Sequence, residues 1–224
     1  MSSSDQPFDV SSDEAREAAR LQVQQLREKK SVLDDDSIDV ILRNARSHYA
    51  WSDRPVSTQT LETIYQITAA GPTSMNTCPA RYTFVTSEEG KKRLAKSLKE
   101  KNIPKVMNAP VTAIIAFDLA FWEKLPFLFP HEDRRGFFKG KDQYIYDTAF
   151  RNSTLQGGYF MIAARSLGLD VGALSGFSNE IVDEEFFAGT TLRSNFLCNI
   201  GYADETALFG KLPRFAFSEV CSFL

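Results

Sequence analysis

The sequence has few of the features that mark metal-binding, disulfide-stabilised or membrane-spanning proteins. Its three cysteines, Cys78, Cys198 and Cys221, form no CxxC pair, which argues against a zinc ribbon and a disulfide framework. The first residues carry no secretory signal pattern, and the longest apolar stretches are far too short to span a bilayer. We therefore expect a soluble protein of the reducing cytoplasm, with no membrane partner.

Histidine is also scarce, with only His48 and His131. For either residue a structural, hydrogen-bonded role is a simpler interpretation than catalysis, and we expect no metal site built from histidine and carboxylate ligands. The sequence also lacks GxGxxG after a strand, GxxxxGKS/T, HExxH and GxSxG. If this chain is an enzyme, a bound cofactor is therefore expected to carry the reaction.

No large excess of charge of one sign is present. The 26 lysine and arginine residues and 29 aspartate and glutamate residues give a formal net charge of −3, so no basic field exists to hold nucleic acid. Hydrophobic residues make up 43% of the 224 residues, which is ordinary for a globular protein with one sizeable core. A local basic cluster can still hold one small anion.

Patterns of apolar and helix-capping residues predict helices and strands in mixed order along the chain. Residues 1–12 are expected to be disordered, residues 13–30 to form a peripheral helix, and residues 34–224 to form the compact domain. Residues 1–33 are then an N-terminal extension. Because regular βαβ alternation is missing, the expected class is α+β. Within the domain we predict helices around residues 38–45, 57–70, 88–101, 142–167 and 179–187, a short closing helix, and strands over 81–87, 110–118, 171–175 and 193–202.

Five short polar segments offer groups that suit a flat, phosphorylated ligand. Arg46 and Ser47 at a helix end suit a phosphate, although an ordinary helix-end cation explains that segment equally well. Asn102 can pair with a pyrimidine-type edge, and Lys105 can lie against a ring that gains negative charge, with a solvated lysine as the alternative.

The other three segments are equally ambiguous when each is taken alone. The turn GPTSMN offers two hydroxyls and a carboxamide. The segment GALSGF places small residues and backbone N–H groups where a flat ring can approach closely. Lys211 and Arg214 come late in the chain and can reach the same phosphate as Arg46. Their joint presence is more informative than any one of them.

Taken in order, these segments resemble the nitroreductase family of FMN-dependent reductases, over about residues 34–224. RSHYAW resembles the family's arginine-serine phosphate motif, with His48 and Tyr49 where a second basic residue is usual. GPTSMNTCPAR, NIPKVMNAPV, GLDVGALSGF and the pair NIGYAD and LPR are similar to its polar turn, asparagine–lysine element, flavin-face loop and terminal phosphate contact. HYAW, LPFLFPH, TAFRNSTLQ and GTTLRSNFLCNIGYAD most closely resemble the malonic semialdehyde reductase branch.

The resemblance implies a nitroreductase-like α+β fold, with helices flanking a central antiparallel-type sheet. It also implies an interlocked homodimer with two FMN sites at the subunit interface. Ser175 stands where an acidic residue is common, and Lys105 and Ser175 are expected to tune the flavin. The implied FMN-binding residues are Arg46, Ser47 and Arg214 at the phosphate, Asn102 and Lys105 at the polar edge of the ring, Ser175 and Gly176 near N5, and Pro72, Thr73, Ser74 and Asn76 from the partner subunit.

The implied activity is reduction of malonic semialdehyde, a small carboxylated aldehyde, to 3-hydroxypropanoate by ping-pong hydride transfer from NADH or NADPH through flavin N5. The flavin carries the hydride, so no side chain is singled out as certainly catalytic. The alternatives are a broad nitroaromatic or quinone reductase, a non-catalytic flavin-binding module, and an interaction protein without flavin. Candidates for the cation that binds the substrate carboxylate are Arg134, Arg135, Lys139, Lys141, Arg151 and Arg193.

Overall fold

A computed structural model describes residues 9–10, 12–29 and 32–224 of the chain. The predicted disorder of residues 1–12 lies outside the described residues, except at positions 9, 10 and 12. Asp13–Lys29 form helix α1, as the sequence predicts, and none of its residues is buried. In the part of the chain that the structure describes, no helix has both the length and the apolar character needed to cross a membrane.

Two of the helices after α1 begin at serine residues that the sequence marks as caps. The hydroxyl groups of Ser57 and Ser87 accept the backbone N–H groups of Thr60 and Gly90, as expected for N-caps. The helices are α2 (Asp35–Ile38), which continues as a π-helical turn over Asp39–Arg43, then α3 (Thr58–Ala69), α4 (Glu88–Ala95), α5 (Ile103–Met107), α6 (Leu125–Leu128), α7 (Asp142–Ser166), α8 (Asn179–Phe187) and α9 (Phe217–Val220).

Within the described residues, four strands form one sheet. They are β1 (Ala80–Val85), β2 (Val111–Asp118), β3 (Asp170–Leu174) and β4 (Leu192–Gly201), in the spatial order β1-β2-β4-β3. Each neighbouring pair is antiparallel. Strand β2 is buried at every position except its last, as its continuous apolar run predicts. The predicted α+β fold with a central antiparallel sheet is confirmed.

Helices cover both faces of the sheet because successive side chains of β2 point in opposite directions. Ile115 belongs to a core cluster with residues of α3 and α7, whereas Ile114 packs with residues of α4, α5 and α8. Helix α7 contacts all four strands. The sheet is thus rigidly held between two helical layers, and its edges and strand ends are the places where a site can form.

Gly157 and Gly158 lower the helix propensity of α7, and such a pair predicts close packing against another backbone. A Cβ atom at Gly157 would lie 2.5 Å from the Cζ atom of Phe196 on β4, so an aromatic side chain excludes it. The predicted backbone neighbour is therefore wrong at this position. No atom of the described residues lies within 4 Å of a Cβ built at Gly158, which leaves a gap on the outer side of α7.

Two predicted helices are shorter than expected. The 88–101 helix ends at Ala95, since Leu98 forms a β-bridge with Phe177 and the Lys99 N–H donates to the Gly176 carbonyl. Those tertiary contacts outweigh the helix propensity of the lysine-rich segment. The predicted closing helix is reduced to Phe217–Val220. It lies in an arm, residues 204–224, in which every residue is exposed; we call it the C-terminal arm.

Candidate functional site

A cavity of about 630 Å³ lies between the π-helical turn, the end of α7 and the C-terminal arm. None of the described acidic residues lines it. A cavity of this size that has positive charge and no negative charge on its walls suits an anionic small molecule. We call it the basic cavity, and its walls carry five cations, Arg43, Arg46, Arg165, Lys211 and Arg214, together with Leu42, Ala45, Ser47, Tyr49, Leu208, Phe209, Gly210 and Leu212.

The segment that carries Arg46 and Ser47 is attached to the edge of the sheet. Ser47 forms a parallel β-bridge with Val171, and the His48 N–H donates to the Val171 carbonyl at 3.1 Å. This approach requires Gly172, because a Cβ atom there would lie 2.2 Å from the His48 carbonyl oxygen. The segment of Arg46 and Ser47 can therefore lie against β3 because the third residue of that strand is a glycine.

The His48 side chain is buried and lies beside a carboxylate, which indicates a structural role. The side chain is 9% exposed, and its Nε2 atom lies 3.2 Å from a carboxylate oxygen of Asp170. The other oxygen of Asp170 accepts the Ala203 N–H at 2.9 Å. Asp170 thus joins the arginine-serine segment to the start of the C-terminal arm, which fixes two walls of the basic cavity relative to each other.

Two of the cavity's arginines keep their charge free for a ligand. Arg46 and Arg214 donate only to backbone carbonyls, namely those of Asn44, Leu212 and Pro213, and neither has a carboxylate partner among the described residues. Arg43, in contrast, is paired with Asp35 and Asp39. Both arginines that the sequence predicts at a phosphate therefore have unpaired guanidinium groups.

Arg165 is a site residue that the sequence did not indicate. Its guanidinium donates to the Ile41 carbonyl at 3.1 Å and to the Arg46 carbonyl at 3.5 Å. Burial lowers the pKa of Arg165 below its ordinary value, although a guanidinium remains protonated in proteins. A basic residue in the last turn of a long helix is common, so only its proximity to Arg46 in the fold reveals this role.

A second group of polar residues lies at the end of the sheet where β2 begins. The Asn102 side chain is buried, donates to the Gly176 carbonyl at 3.1 Å and accepts from the Lys105 Nζ atom at 3.1 Å. A Cβ atom at Gly176 would lie 2.4 Å from the Asn102 Nδ2 atom, so glycine is required there. We call Asn102, Lys105 and Gly176 the ring-edge cluster. Ser175, next to it, is exposed.

Tyr49 joins the basic cavity to the ring-edge cluster. The Lys105 Nζ atom lies 4.3 Å from the centroid of the Tyr49 ring, and the ring also lines the basic cavity. On its other side Tyr49 meets Phe209 of the C-terminal arm edge-on, with ring centroids 6.5 Å apart. Seven of the eleven predicted cofactor residues therefore lie along one continuous surface: Arg46, Ser47, Asn102, Lys105, Ser175, Gly176 and Arg214.

The remaining four predicted residues, Pro72, Thr73, Ser74 and Asn76, lie elsewhere. Their turn leads into β1, where Ala80 pairs with Phe117, whereas the ring-edge cluster lies beside Thr112. Five residues of β2 separate these positions, which is about 17 Å of strand. Within one chain the turn thus lies toward the opposite end of β2 from the ring-edge cluster.

The turn has a strained and tightly held backbone. Met75, Asn76 and Cys78 adopt left-handed conformations with φ values of 51°, 50° and 39°. The Ser74 N–H donates to the Asn152 side chain at 2.8 Å, and the Asn76 side chain donates to the Leu128 carbonyl at 2.7 Å. Non-glycine residues in this region persist where surrounding contacts determine the conformation, and they cluster at functional sites.

The candidate cations for a substrate carboxylate differ in availability. Arg134 and Arg135 are paired with Glu132 and Asp133, and Arg193 lies 3.9 Å from Asp183. Lys141 lies 6.0 Å from the ring centroid of Phe137. Of the six candidates, Lys139, Lys141 and Arg151 are the exposed cations without a carboxylate partner among the described residues.

Comparison with known proteins identifies the family. The family model described as the nitroreductase family matches residues 42–202. A protein of Burkholderia lata named NADH dehydrogenase/NAD(P)H nitroreductase is 51% identical over 190 residues, which cover 85% of this chain and 97% of that protein. A protein of Stenotrophomonas maltophilia with the same description is 51% identical over 187 residues, which cover 84% of this chain and 95% of that one.

Solved structures agree with that assignment at the level of the fold. A Bacillus subtilis nitroreductase superposes with a TM-score of 0.77 at 16% identity, over 85% of this chain and 100% of that chain. An Exiguobacterium sibiricum nitroreductase in complex with FMN gives a TM-score of 0.75 at 20% identity, over 87% and 100% of the two chains. The chain belongs to the nitroreductase family, a family of reductases, and the predicted family and fold are confirmed.

Proposed function

We propose that this chain is an FMN-dependent NAD(P)H oxidoreductase that binds the FMN phosphate in the basic cavity. One observation carries the proposal: a cavity with five cations, and with no acidic residue of the described chain on its walls, is joined through Tyr49 to the amide and ammonium of the ring-edge cluster. The cations of the cavity suit a phosphate, and the amide and ammonium groups suit the polar edge of a flavin ring. The names of the two relatives and the FMN of the Exiguobacterium sibiricum structure support the same cofactors.

Each predicted residue has a role that its surroundings permit. Arg46 and Arg214 bring unpaired guanidinium groups to the phosphate, and Ser47 adds a hydroxyl at the edge of β3. Asn102 is buried and already oriented by Gly176, which prepares its amide for a ring edge. Ser175 and Gly176 offer backbone groups at the end of β3, where small side chains let a flat ring approach.

Bound FMN supplies hydride transfer between NAD(P)H and an acceptor. The contribution of this chain is to hold positive charge where negative charge develops. Lys105 is partly buried and has no carboxylate partner among the described residues, so its charge acts on the ring edge with little competition. Because one open face has to accept NAD(P)H and the acceptor in turn, we expect ping-pong kinetics.

We also propose that the active form is a homodimer in which the turn of Pro72, Thr73, Ser74 and Asn76 reaches the FMN of the partner. Four phenylalanines of the C-terminal arm are 63% to 89% exposed, at positions 209, 215, 217 and 223. Large apolar side chains left exposed together in one segment support an interface. Burying each ring fully contributes about 1.5–3 kcal/mol, which favours a surface covered by a second copy.

Helix α7 supports the same arrangement. Phe150, Leu155 and Ile162 are 38% to 44% exposed on its outer side, around the gap left by Gly158. A small residue flanked by apolar ones lets another helix approach closely. Asn152, on the same helix, holds Ser74 of the turn, so contact through α7 would carry the turn toward the partner subunit.

The acceptor we propose is a small carboxylated aldehyde, malonic semialdehyde, in a reaction of the cytoplasm. The motifs of the malonic semialdehyde reductase branch support it, as does the presence of unpaired cations. Arg151 precedes Asn152, which holds the turn, and Lys139 lies in the segment before α7. The second candidate is a broad nitroaromatic or quinone reductase, which the names of the two relatives favour.

Three measurements test the proposal in order. Purified protein should carry a yellow flavin chromophore that NADH or NADPH bleaches anaerobically; protein that neither carries nor takes up FMN would refute the proposal. A flavin that no nucleotide reduces would indicate a binding module instead. The values of kcat/KM for malonic semialdehyde, a nitrofuran and a quinone then decide between the two acceptor classes.

Two sets of variants test the finer parts. Arg151→Gln or Lys139→Gln should raise KM for the semialdehyde and leave that for a quinone unchanged, whereas Lys124→Gln, also an exposed cation, serves as the control. For the dimer, Lys105→Met and Ser74→Leu proteins are expected to bind FMN weakly when each is pure. A heterodimer of the two should regain one site of wild-type affinity, and a heterodimer no better than its parents would refute a shared site.

A further inference from the structure

We propose that Tyr49 is a positioning residue that holds the Lys105 ammonium against the flavin ring edge and thereby sets the reduction potential of the bound flavin. This inference rests on the FMN site proposed above. It concerns a side chain that lines the basic cavity yet carries no charge and is not among the residues expected to bind the cofactor.

The position of the Lys105 ammonium group depends on the contacts that this group makes. A lysine side chain has four flexible carbon–carbon bonds, and its ammonium group takes the place that its contacts define. Lys105 has two such contacts: the Asn102 Oδ1 atom at 3.1 Å and the face of the Tyr49 ring at 4.3 Å from its centroid. No carboxylate of the described residues pairs with it. One hydrogen bond and one aromatic face therefore determine where the charge lies.

The two contacts act from different directions. Asn102 is fixed by Gly176, and the Lys105 backbone carbonyl accepts the side-chain N–H of Asn199 at 3.0 Å. Tyr49 approaches from the basic cavity, two residues after Ser47, which bridges to Val171 at the edge of β3. The ammonium is therefore held between the sheet end and the cavity wall, and losing either contact widens the range of positions it can take.

The Tyr49 ring is itself restrained. It packs edge-on against Phe209 of the C-terminal arm, with an interplanar angle of 62°. Tyr49 is 39% exposed. Its ring face can still attract a cation, since the ring quadrupole acts on a cation within about 6 Å of the ring centroid. Tyr49 thus combines a fixed place with the charge-attracting face that Lys105 needs.

The size of the effect follows from the strength of a partly exposed cation–π contact, which changes an equilibrium constant by about two- to fivefold. A positive charge at the ring edge favours the reduced, more negative flavin over the oxidised one. Replacing Tyr49 by leucine should lower the ratio of reduced-form to oxidised-form affinity by that factor. For a two-electron couple this corresponds to a fall of about 10–20 mV in the midpoint potential, at 29.6 mV per tenfold.

The test measures the midpoint potential of the holoprotein by dye equilibration, with FMN affinity and Tm recorded beside it. Tyr49→Leu keeps an apolar side chain and removes the aromatic face, and the control Tyr49→Phe keeps the face and removes the hydroxyl. We expect the potential to fall by about 10–20 mV in the first and to stay within a few millivolts in the second. In a Lys105→Met background the same Tyr49→Leu change should leave the potential where Lys105→Met alone puts it.

The outcomes separate the possible failures. Wild-type protein that takes up no FMN overturns the proposed function and this inference together. Wild-type uptake of FMN with an unchanged potential in Tyr49→Leu overturns this inference alone. An equal shift in Tyr49→Phe, or a shift from Tyr49→Leu that persists in the Lys105→Met background, shows that Tyr49 acts through packing and not through Lys105, and also overturns it.

Discussion

The substitution Gly172→Ala tests how the phosphate-binding segment is attached to the sheet. A Cβ atom at this position would lie 2.2 Å from the His48 carbonyl oxygen and 3.4 Å from its carbonyl carbon. Both are backbone atoms, so no rotamer change relieves the contact. The segment that carries Arg46 and Ser47 has to move away from β3.

Two terms contribute to the free-energy cost of Gly172→Ala. Forcing a methyl group into a filled space costs about 1–3 kcal/mol. Losing the hydrogen bond from the His48 N–H to the Val171 carbonyl adds about 0.5–1.5 kcal/mol. The total is about 1.5–4.5 kcal/mol, and the segment is bonded to the sheet along one edge. We therefore expect local detachment, which weakens FMN binding by about 10-fold to 1,600-fold at 1.4 kcal/mol per tenfold.

The assay is a fluorescence titration of cofactor-free protein with FMN, together with thermal melts of the same cofactor-free samples. The control is Gly136→Ala, where no atom of the structurally described part of the chain lies within 4 Å of the added Cβ. Weakened FMN binding with little change in Tm is the expected pattern. If Gly172→Ala binds FMN within threefold of the wild-type affinity, the reasoning that links β3 to the phosphate site is wrong.

Three further predictions follow from charge, burial and the isolation of α1. Lys105→Met should weaken FMN binding or slow its reduction by about tenfold, since a unit charge at 4 Å contributes about 1–4 kcal/mol; Lys105→Arg is the control, and unchanged binding and reduction would exclude Lys105 from the site. Burial raises the pKa of the Cys198 thiol to about 12, so at pH 8 this thiol should react with a disulfide reagent only after unfolding; rapid labelling of a protein whose other two cysteines are serine would contradict this. Deleting residues 2–33 should change the Tm of the remaining domain by no more than about 2 °C, because no residue of α1 is buried, and a larger fall would show that the extension is part of the fold.

Much of the architecture was predictable because it depends on local patterns. The apolar run of β2 predicts a strand buried on both faces, and Ser57 and Ser87 mark helix starts through side chains that bond only three residues away. The ring-edge cluster is predictable for a similar reason: Asn102 and Lys105 are three residues apart and touch each other directly. Short-range chemistry is visible in a linear sequence.

The features that were missed depend on contacts between distant parts of the chain. Arg165 reaches the Arg46 carbonyl across 119 residues, and nothing near either residue signals the other. Helix α4 ends early because Leu98 and Lys99 pair with the segment around Gly176. Gly157 is explained by Phe196, which enters from β4. In each case the tertiary neighbour overrides or supplements the local preference.

The C-terminal arm connects cofactor binding with assembly. It supplies Arg214 and Lys211 to the basic cavity and Phe209 to Tyr49, and it also carries the exposed phenylalanines that we assign to the dimer interface. In the proposed dimer, FMN and the partner subunit both order this arm. Their binding is therefore coupled, since whichever binds first bears part of the entropy cost of ordering the arm. FMN should then tighten the dimer by the same factor by which dimer formation tightens FMN. In this arrangement the proposed reductase completes its flavin site only when the dimer forms. The partner subunit is then part of each site, because the arm links the site to the interface and the turn contributes residues to it.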